Sequence, residues 1–333
     1  MVNNKNLIRD KNLTLLKQLL FTKGSALKAE MSKETGISVV TINSLVSQLV
    51  EEEVLIEGEL TQQSLGRPAI TYHFNYNQNH FLLLSIQEKR VNEKRFLILL
   101  GKIVNLAGEV QLEEEINFEQ VTLPLFLEKI HYFLSQSIPI DKISLSIPGK
   151  LYDGQVLSSW HSLFDQWDIA EALLDITPVP IVIQNDAHLL TVGYTISHKI
   201  ALSDTIVGIF YPESSMPGIT IYSNGTILEG GHNLAGEAKF LPHLIDSDTP
   251  NNELELVGNL VKILEIYNAV IAPNFFVISA ESVRKSTVLE AVENSQILSK
   301  QMNQPTILFI DHFQDALTLG LRWLIHQDST YQL

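Results

Sequence analysis

The chain has 333 residues, with 38 Asp/Glu against 23 Lys/Arg, a formal net charge of −15 and no cysteine. That length carries two or three folding units, and the acidic balance excludes a general nucleic-acid binder held by charge alone. The missing cysteines exclude disulfides, thiolate metal sites and cysteine nucleophiles. The N-terminus, Met-Val-Asn-Asn-Lys-Asn, lacks the apolar core of a signal peptide, and no apolar run reaches membrane-spanning length, so the cytoplasm is the expected compartment.

Leu13, Leu16, Leu19 and Leu20 form a helical stripe that ends before Gly24. Ser25 to Thr35 is predicted as a second helix, with Leu27 and Met31 inward and Gly36 closing it. A third helix follows Ser38, whose hydroxyl suits an N-cap. Ile42, Leu45, Val46, Leu49 and Val50 fall on one face of it, and Thr41, Asn43, Ser44, Ser47 and Gln48 on the other. Short polar groups in that pattern can enter a major groove and bond base edges and phosphates. Ser38, Val40, Thr41, Asn43, Ser44 and Ser47 are the candidate DNA contacts on this helix. An ordinary amphipathic helix with a polar outside shows the same pattern, so the flanks decide. Val54-Leu55-Ile56 and Ile70 to Phe74 are strand-like and enclose a polar loop containing Gly66-Arg67-Pro68. That is a wing, and Arg67 on a backbone stiffened by proline suits a narrow minor groove.

Residues 1–50 hold seven Lys/Arg against three Asp/Glu, so a mildly basic head precedes a strongly acidic remainder. Such a head can approach phosphate while the rest repels it. The run Glu51-Glu52-Glu53 closing the third helix reads as a solvated face. Residues 1–78 are therefore expected to form a winged helix-turn-helix DNA-binding domain, and residues 79–333 a second unit.

From Asn79 the texture alternates strands and helices. Phe81–Ile86, Phe96–Leu100 and Ile103–Leu106 are predicted strands, the last turning through Ala107-Gly108-Glu109. Thr122–Ser135 is a helix, Ile143–Ile147 a strand stopped by Pro148-Gly149, and Ile181–Ile183 a strand leading to Asn185-Asp186, where a helix begins. The second half repeats the theme. Thr205–Phe210, Gly218–Tyr222, Thr226–Leu228, Phe275–Ile278 and Thr306–Ile310 are strands, and a helix covers roughly Glu253 to Asn268. This order predicts an α/β body of two lobes with a cleft between them.

The matching pieces now assemble: the wing with Gly66-Arg67-Pro68, the Ile147-Pro148-Gly149 turn followed by Asp153-Gly154, and Asn185-Asp186-Ala187-His188. Further on come Gly225-Thr226 through Gly230-Gly231-His232, Ala235-Gly236-Glu237, and the closing Ala316-Leu317-Thr318-Leu319-Gly320 segment. Over essentially its whole length the chain resembles the ROK family (repressors, open reading frames and kinases), and within it the xylose- and N-acetylglucosamine-repressor type of regulator. The resemblance implies two actin-like (ribonuclease H-like) lobes of the sugar-kinase type. Kinase members phosphorylate sugars with ATP. Repressor members bind operator DNA as dimers or tetramers and sense a sugar or a partner protein.

The departures from the family pattern bear on activity. The first phosphate loop, an Asp-x-Gly-Gly-Thr pattern in the family, is replaced by Ser85-Ile86-Gln87-Glu88-Lys89. The second, a glycine-rich run, is replaced by Pro212-Glu213-Ser214-Ser215-Met216-Pro217-Gly218, and the adenosine-side Gly-Gly by Ser279-Ala280-Glu281. Phosphate needs close-packed backbone amides, which glycine permits, so these losses argue against ATP as a cofactor. The family's structural zinc site is lost as well. It uses a His and a cysteine run; the His position falls at Phe240, and His232 and His243 nearby make a poor metal case.

In the cleft, the resemblance places the kinase general base at Asp186 and hydroxyl-binding groups at Asn185 and Glu237. These are the candidate sugar contacts, although Asn185 and Asp186 equally fit as caps of the helix that follows. Phe240 replaces a ligand His, and Ser162 in Trp160-His161-Ser162-Leu163 stands where a sugar-contacting Asn is expected. The expectation is a DNA-binding regulator, a repressor of carbohydrate-related genes, with a non-catalytic kinase-like body for oligomerisation and a possible carbohydrate effector. The alternative is an ATP-dependent sugar kinase with an accessory DNA-binding head.

Overall fold

The N-terminal stripe forms helix α1 (Asn4–Lys23), with Leu16 and Leu20 buried. The computed structural model describes residues 4–61, 68–91, 94–118, 120–157, 159–212, 215–280 and 283–333. Gly24, at φ 78°, turns the chain out of α1 into a short strand, β1 (Ser25–Leu27), before α2 (Lys28–Thr35). Sequence periodicity assigned Ser25 to Leu27 to the helix. In the structure these residues pair antiparallel with Thr71–His73, and Ala26 is buried beneath them. Long-range pairing overrides local propensity here. The Glu30 carboxylate then accepts the Leu27 N–H at 2.9 Å and starts α2.

Gly36, at φ 72°, ends α2, and α3 runs Val39–Glu51. Strands β2 (Leu55–Thr61) and β3 (Ala69–Phe74) complete a sheet of order β1-β3-β2, the hairpin of a wing. The wing tip, with Gly66 and Arg67, lies outside the described residues.

The first lobe begins with β4 (His80–Val91) and β5 (Lys94–Asn105), a long antiparallel hairpin, followed by β6 (Val110–Asn117). The two strands expected at Phe96–Leu100 and Ile103–Leu106 are one, β5. Gly101 lies between the two expected segments. A Cβ there would lie 2.2 Å from the Phe133 ring, so glycine admits that ring onto an unbroken strand. The ring comes from α4 (Leu123–Leu134). Next come β7 (Lys142–Ile147), a small hairpin of β8 (Lys150–Tyr152) and β9 (Gln155–Leu157), α5 (Ile169–Ile176), β10 (Ile181–Asn185) and α6 (Asp186–Ser197).

The second lobe holds β11 (Ile206–Phe210), β12 (Gly218–Ser223), β13 (Thr226–Ile227), α7 (Glu253–Ile271), β14 (Phe275–Ser279), α8 (Lys285–Glu293), β15 (Thr306–Phe309) and α9 (Phe313–His326). Among the described residues the two large sheets have orders β6-β5-β4-β7-β10 and β13-β12-β11-β14-β15. In each, an antiparallel meander is extended by two parallel strands. The lobes are thus two copies of one topology, a repeat that leaves no short-period trace in the sequence.

Helices α6 and α9 pass between the lobes and cross. A Cβ on Gly193 would sit 1.8 Å from Ala316 O, and one on Gly320 2.1 Å from Leu189 O, so the crossing brings backbone onto backbone. Among the described residues no helix is long and apolar enough to cross a membrane.

Candidate DNA-reading helix and interlobe cleft

Helix α3 is built to show one face. The Ser38 hydroxyl accepts the Thr41 N–H at 3.3 Å and lies 2.9 Å from Thr41 Oγ1. Ile42, Leu45, Val46 and Leu49 are buried against α1, α2 and the wing sheet. Ser38, Asn43, Ser44 and Ser47 are exposed, Thr41 is half-buried, and Val40 is 80% exposed at the helix start. An exposed apolar group beside short polar ones is what thymine methyls and base edges call for. Gln48 is set apart from this face. Its amide accepts from Arg9 Nη2 at 2.6 Å and donates to Glu52 at 2.7 Å, while Lys17 lies 3.6 Å from Glu52. So Glu52 fastens α3 to α1, and the acidic run is more than a solvated face.

The head sits on the body through an aromatic joint. Phe21 lies 5.1 Å from Tyr331 and 6.3 Å from His326, ring to ring, and Phe74 lies 5.4 Å from Tyr331. Tyr76 donates to Phe21 O at 2.6 Å, and Leu106 N–H donates to Tyr76 O at 3.0 Å.

Between the lobes lies a cleft of about 680 Å³, lined by Asn185, Asp186, Glu237, Ser162, His161 and Lys239 among others. The candidate sugar residues therefore converge. Asn185 ends β10, caps α6 by accepting the Ala187 N–H at 3.1 Å, and donates to Gly149 O at 2.8 Å. It is both helix cap and cleft wall. Asp186 accepts the Ala187 N–H at 2.8 Å. Glu237 is brought in because Ile219 N–H bonds Gly236 O at 3.0 Å, and its carboxylate lies 3.9 Å from Lys239. Ser162 has φ 55° in a loop tied down by Asp165, which accepts from Ser159 N and Oγ at 2.7 and 2.6 Å.

Lys150, which no motif pointed to, and His188, which closes the Asn185-Asp186-Ala187-His188 segment, organise the floor. Lys150 is 4% exposed and His188 2%. Lys150 Nζ donates to His188 Nε2 at 2.7 Å and to Ala235 O at 3.1 Å, and His188 Nδ1 lies 2.9 Å from Thr220 Oγ1. Burial, with the Lys150 charge added, pushes His188 down to about 3, so its ring is neutral and accepts from the ammonium. Burial also lowers Lys150, against the charges of Glu237, Asp186 and Glu229, which raise it. Burial pushes Asp186 up to about 7, opposed by the Ala187 N–H and by Lys150. A carboxylate poised near neutrality beside a cleft is what proton abstraction from a hydroxyl needs. Lys150 carries no spacing signal, being one lysine in a short strand after Pro148-Gly149.

The opposite wall differs from a phosphate site. Ser85 to Lys89, where the resemblance expected a first phosphate loop, run on as β4 in register with Leu100 to Phe96. Glu88 pairs with Arg95 at 3.1 Å. At the second loop, Pro212 and Ser215 to Gly218 line the cleft, while Glu213 and Ser214 lie outside the described residues, as does Glu281 at the third. Phe240, where the resemblance expected a ligand His, is 63% exposed, and the His232 ring lies tilted beside Tyr152 at 5.2 Å. Among the described residues no His/Cys/Asp/Glu cluster could hold a metal.

No protein-family model matches the chain. The xylose repressor of Bacillus spizizenii is 20% identical over 249 residues, 71% of this chain and 61% of that repressor, so the match spans about three fifths of that relative's length. A solved ROK family transcriptional regulator, a homologue of the E. coli MLC protein, is similar in structure with a TM-score of 0.68 at 17% identity, covering 96% of this chain and 97% of its own. A ROK family glucokinase from Streptomyces griseus, solved with glucose and AMPPNP, has a TM-score of 0.57 at 12% identity and covers 74% of this chain and 100% of its own. The resemblance carried by the motifs is met again in both kinds of relative, and the fold is that of ROK proteins.

Proposed function

We propose that the protein is a sequence-specific DNA-binding transcriptional regulator in the cytoplasm, a repressor of carbohydrate-related genes. In this reading residues 1–78 read operator DNA, and residues 79–333 form a non-catalytic body that oligomerises and takes a small carbohydrate in its cleft. The observation that carries it is α3, whose buried stripe seats it on the head while Val40, Thr41, Asn43, Ser44 and Ser47 are turned outward beside a wing. One such helix reads too few base pairs for operator-level specificity, so a homodimer on a two-fold site is the minimum assembly, and a tetramer repeats it. Arg67 at the wing tip is proposed for the flanking minor groove. Selection of bound sequences from random duplex DNA tests the reading. A palindromic motif is expected, and binding without sequence preference at moderate salt sinks it.

A second reading, an ATP-dependent sugar kinase with an accessory head, is favoured by one observation: Asn185, Asp186 and Glu237 still meet in the cleft, with Asp186 near neutrality. Against it, residues 85–89 are extended. Successive amides of a strand point to opposite sides, whereas phosphate is held by amides converging from a turn. Sugar-dependent ATP turnover that vanishes in Asp186→Asn is the result that restores the kinase.

A further inference from the structure

Helix α9 touches both parts that a regulator has to connect. Its first turns face the cleft, through Phe313, Gln314 and Leu317. The Gln314 side chain exchanges both amide hydrogen bonds with Gln87 of β4: Gln87 Nε2 donates to Gln314 Oε1 at 3.2 Å, and Gln314 Nε2 donates back to Gln87 Oε1. The second Gln87 N–H donates to Ser85 Oγ at 2.6 Å, so that amide group has both donors used and its orientation set. Gln87 belongs to the first lobe, and Gln314 opens the helix that leaves the second. The amide pair therefore ties the lobes together beside the cleft.

The other end of α9 faces the head. His326 lies 6.3 Å from Phe21 of the head and 5.1 Å edge-on from Phe81 of β4, and Tyr331, just past the helix, packs on Phe21 and Phe74. Lys142 Nζ donates to Ile325 O at 2.9 Å and fastens this end to β7. Between the two ends α9 crosses α6 with backbone on backbone at Gly193 and Gly320. The crossing runs from Ala316 to Gly320, so the cleft-side arm from Gln314 is about 3 Å of helix and the head-side arm to His326 about 9 Å at 1.5 Å per residue. With the longer arm on the head side, a shift at the cleft end reaches the head end enlarged.

We propose that the Gln87–Gln314 amide pair is a latch on α9, and that a cleft occupant competing for those amides pivots α9 on α6 and re-aims the winged helix. This deepens the regulatory reading of the cleft and rests on it. The competing occupant is a neutral, hydroxyl-rich molecule, which offers donors and acceptors together as the paired amides do.

The absence of native cysteine makes the test direct, since two introduced thiols are the only labelling sites. Lys33→Cys on the head and Glu128→Cys on the first lobe, both exposed, carry spin labels, and their separation is measured by double electron–electron resonance in the full chain. Gln87→Leu and Gln314→Leu are each expected to shift or broaden the distance distribution by about 3 Å, the length of one hydrogen bond. Melting temperatures should stay within a few degrees of the parent, which separates a released latch from a damaged fold. With Tyr331→Ala already present, Gln87→Leu should add nothing. Unchanged distributions in both latch variants overturn the proposal. Operator affinity is read in parallel, with at least a three-fold change expected in Gln87→Leu, on the order of 0.65 kcal/mol. A chain that selects no duplex sequence defeats the regulator reading, while the distance measurement still decides whether α9 links cleft and head.

Discussion

At the floor of the cleft, Asn185, Asp186 and Glu237 are held by backbone hydrogen bonds above a buried ammonium, Lys150. Along the facing wall, residues 85–89 lie extended against 96–100, and the side chains of Gln87 and Glu88 bond Gln314 and Arg95. The floor keeps the polar groups that a polyol needs and adds an internal cation beneath them. The wall has the backbone geometry of a sheet where a phosphate donor would require a turn. Ligand recognition and phosphoryl transfer are thus separable within one cleft, because the first depends on side chains and the second on the path of the main chain.

The largest effect expected from this contrast is at Lys150. Replacing it by Met leaves Asp186, Glu229 and Glu237 without the ammonium, and His188 Nε2 and Ala235 O without their donor. Removing one partner from a buried charge cluster costs about 3–5 kcal/mol. On the wall, Gln87→Ala should cost under about 1 kcal/mol, since its amide is at the surface. Urea midpoints at constant slope compare the two. Equal losses would mean that floor and wall are not held differently.

Glu237→Ala sharpens the ligand side of the comparison. A buried carboxylate bonded to a hydroxyl is worth about 1.5–3 kcal/mol, so effector affinity should fall by about one to two orders of magnitude. Ligand-free DNA binding should be unchanged, since Glu237 lies in the cleft and the head is joined through α9 and Tyr76. Thermal shifts and operator affinity across a sugar panel check this. A sugar acting equally on wild type and variant must bind elsewhere.

The pH dependence of stability reports on Asp186. Its pKa is raised from 3.8 to about 7 in the folded protein. The folded state therefore holds this proton more tightly than the unfolded one. The resulting stability is fully present below about pH 4 and is lost as pH rises through about 7. Asp186→Asn removes that slope and should be more stable than wild type at pH 8 by about 1–3 kcal/mol, the lower part of the range allowing for solvent on its cleft side. Urea midpoints at pH 5 and pH 8 measure it. A wild type as stable at pH 8 as at pH 5 would place the Asp186 pKa near its ordinary value.

What could be read from the sequence follows how local the cause is. Ser38 as a cap, the apolar stripe of α3 and the strand end at Asn185 are set by residues within a turn or two, and each stands where its pattern put it. Strand β1 was hidden because its partner, Thr71–His73, is over forty residues away. The unbroken β5 was hidden because Gly101 answers to Phe133, on a helix packed across the sheet. Lys150 was hidden because its meaning lies in His188, Ala235 and three carboxylates, none of them its neighbours in sequence. The cleft residues were found through family motifs, and the cation that organises them belongs to no motif.

The smallest effect expected is none at all. Magnesium-ATP should give no heat of binding to the wild type, and restoring a glycine by Gln87→Gly should not create a site. A glycine relaxes one residue, but Ser85, Ile86, Glu88 and Lys89 remain registered with Leu100, Leu99, Leu97 and Phe96. Their N–H groups still alternate between the two sides of the strand and cannot converge on an anion. Glu88 would also face any phosphate placed there, although Arg95 beside it offsets part of that charge. The glycine itself loosens the strand by roughly 0.5–1 kcal/mol, which should show as a slightly lower melting temperature. Calorimetric titration of both proteins, with and without a sugar panel, is the check. Micromolar ATP binding by the wild type would mean that the extended wall gives way to a turn when nucleotide is present, and the separation of recognition from phosphoryl transfer would be lost.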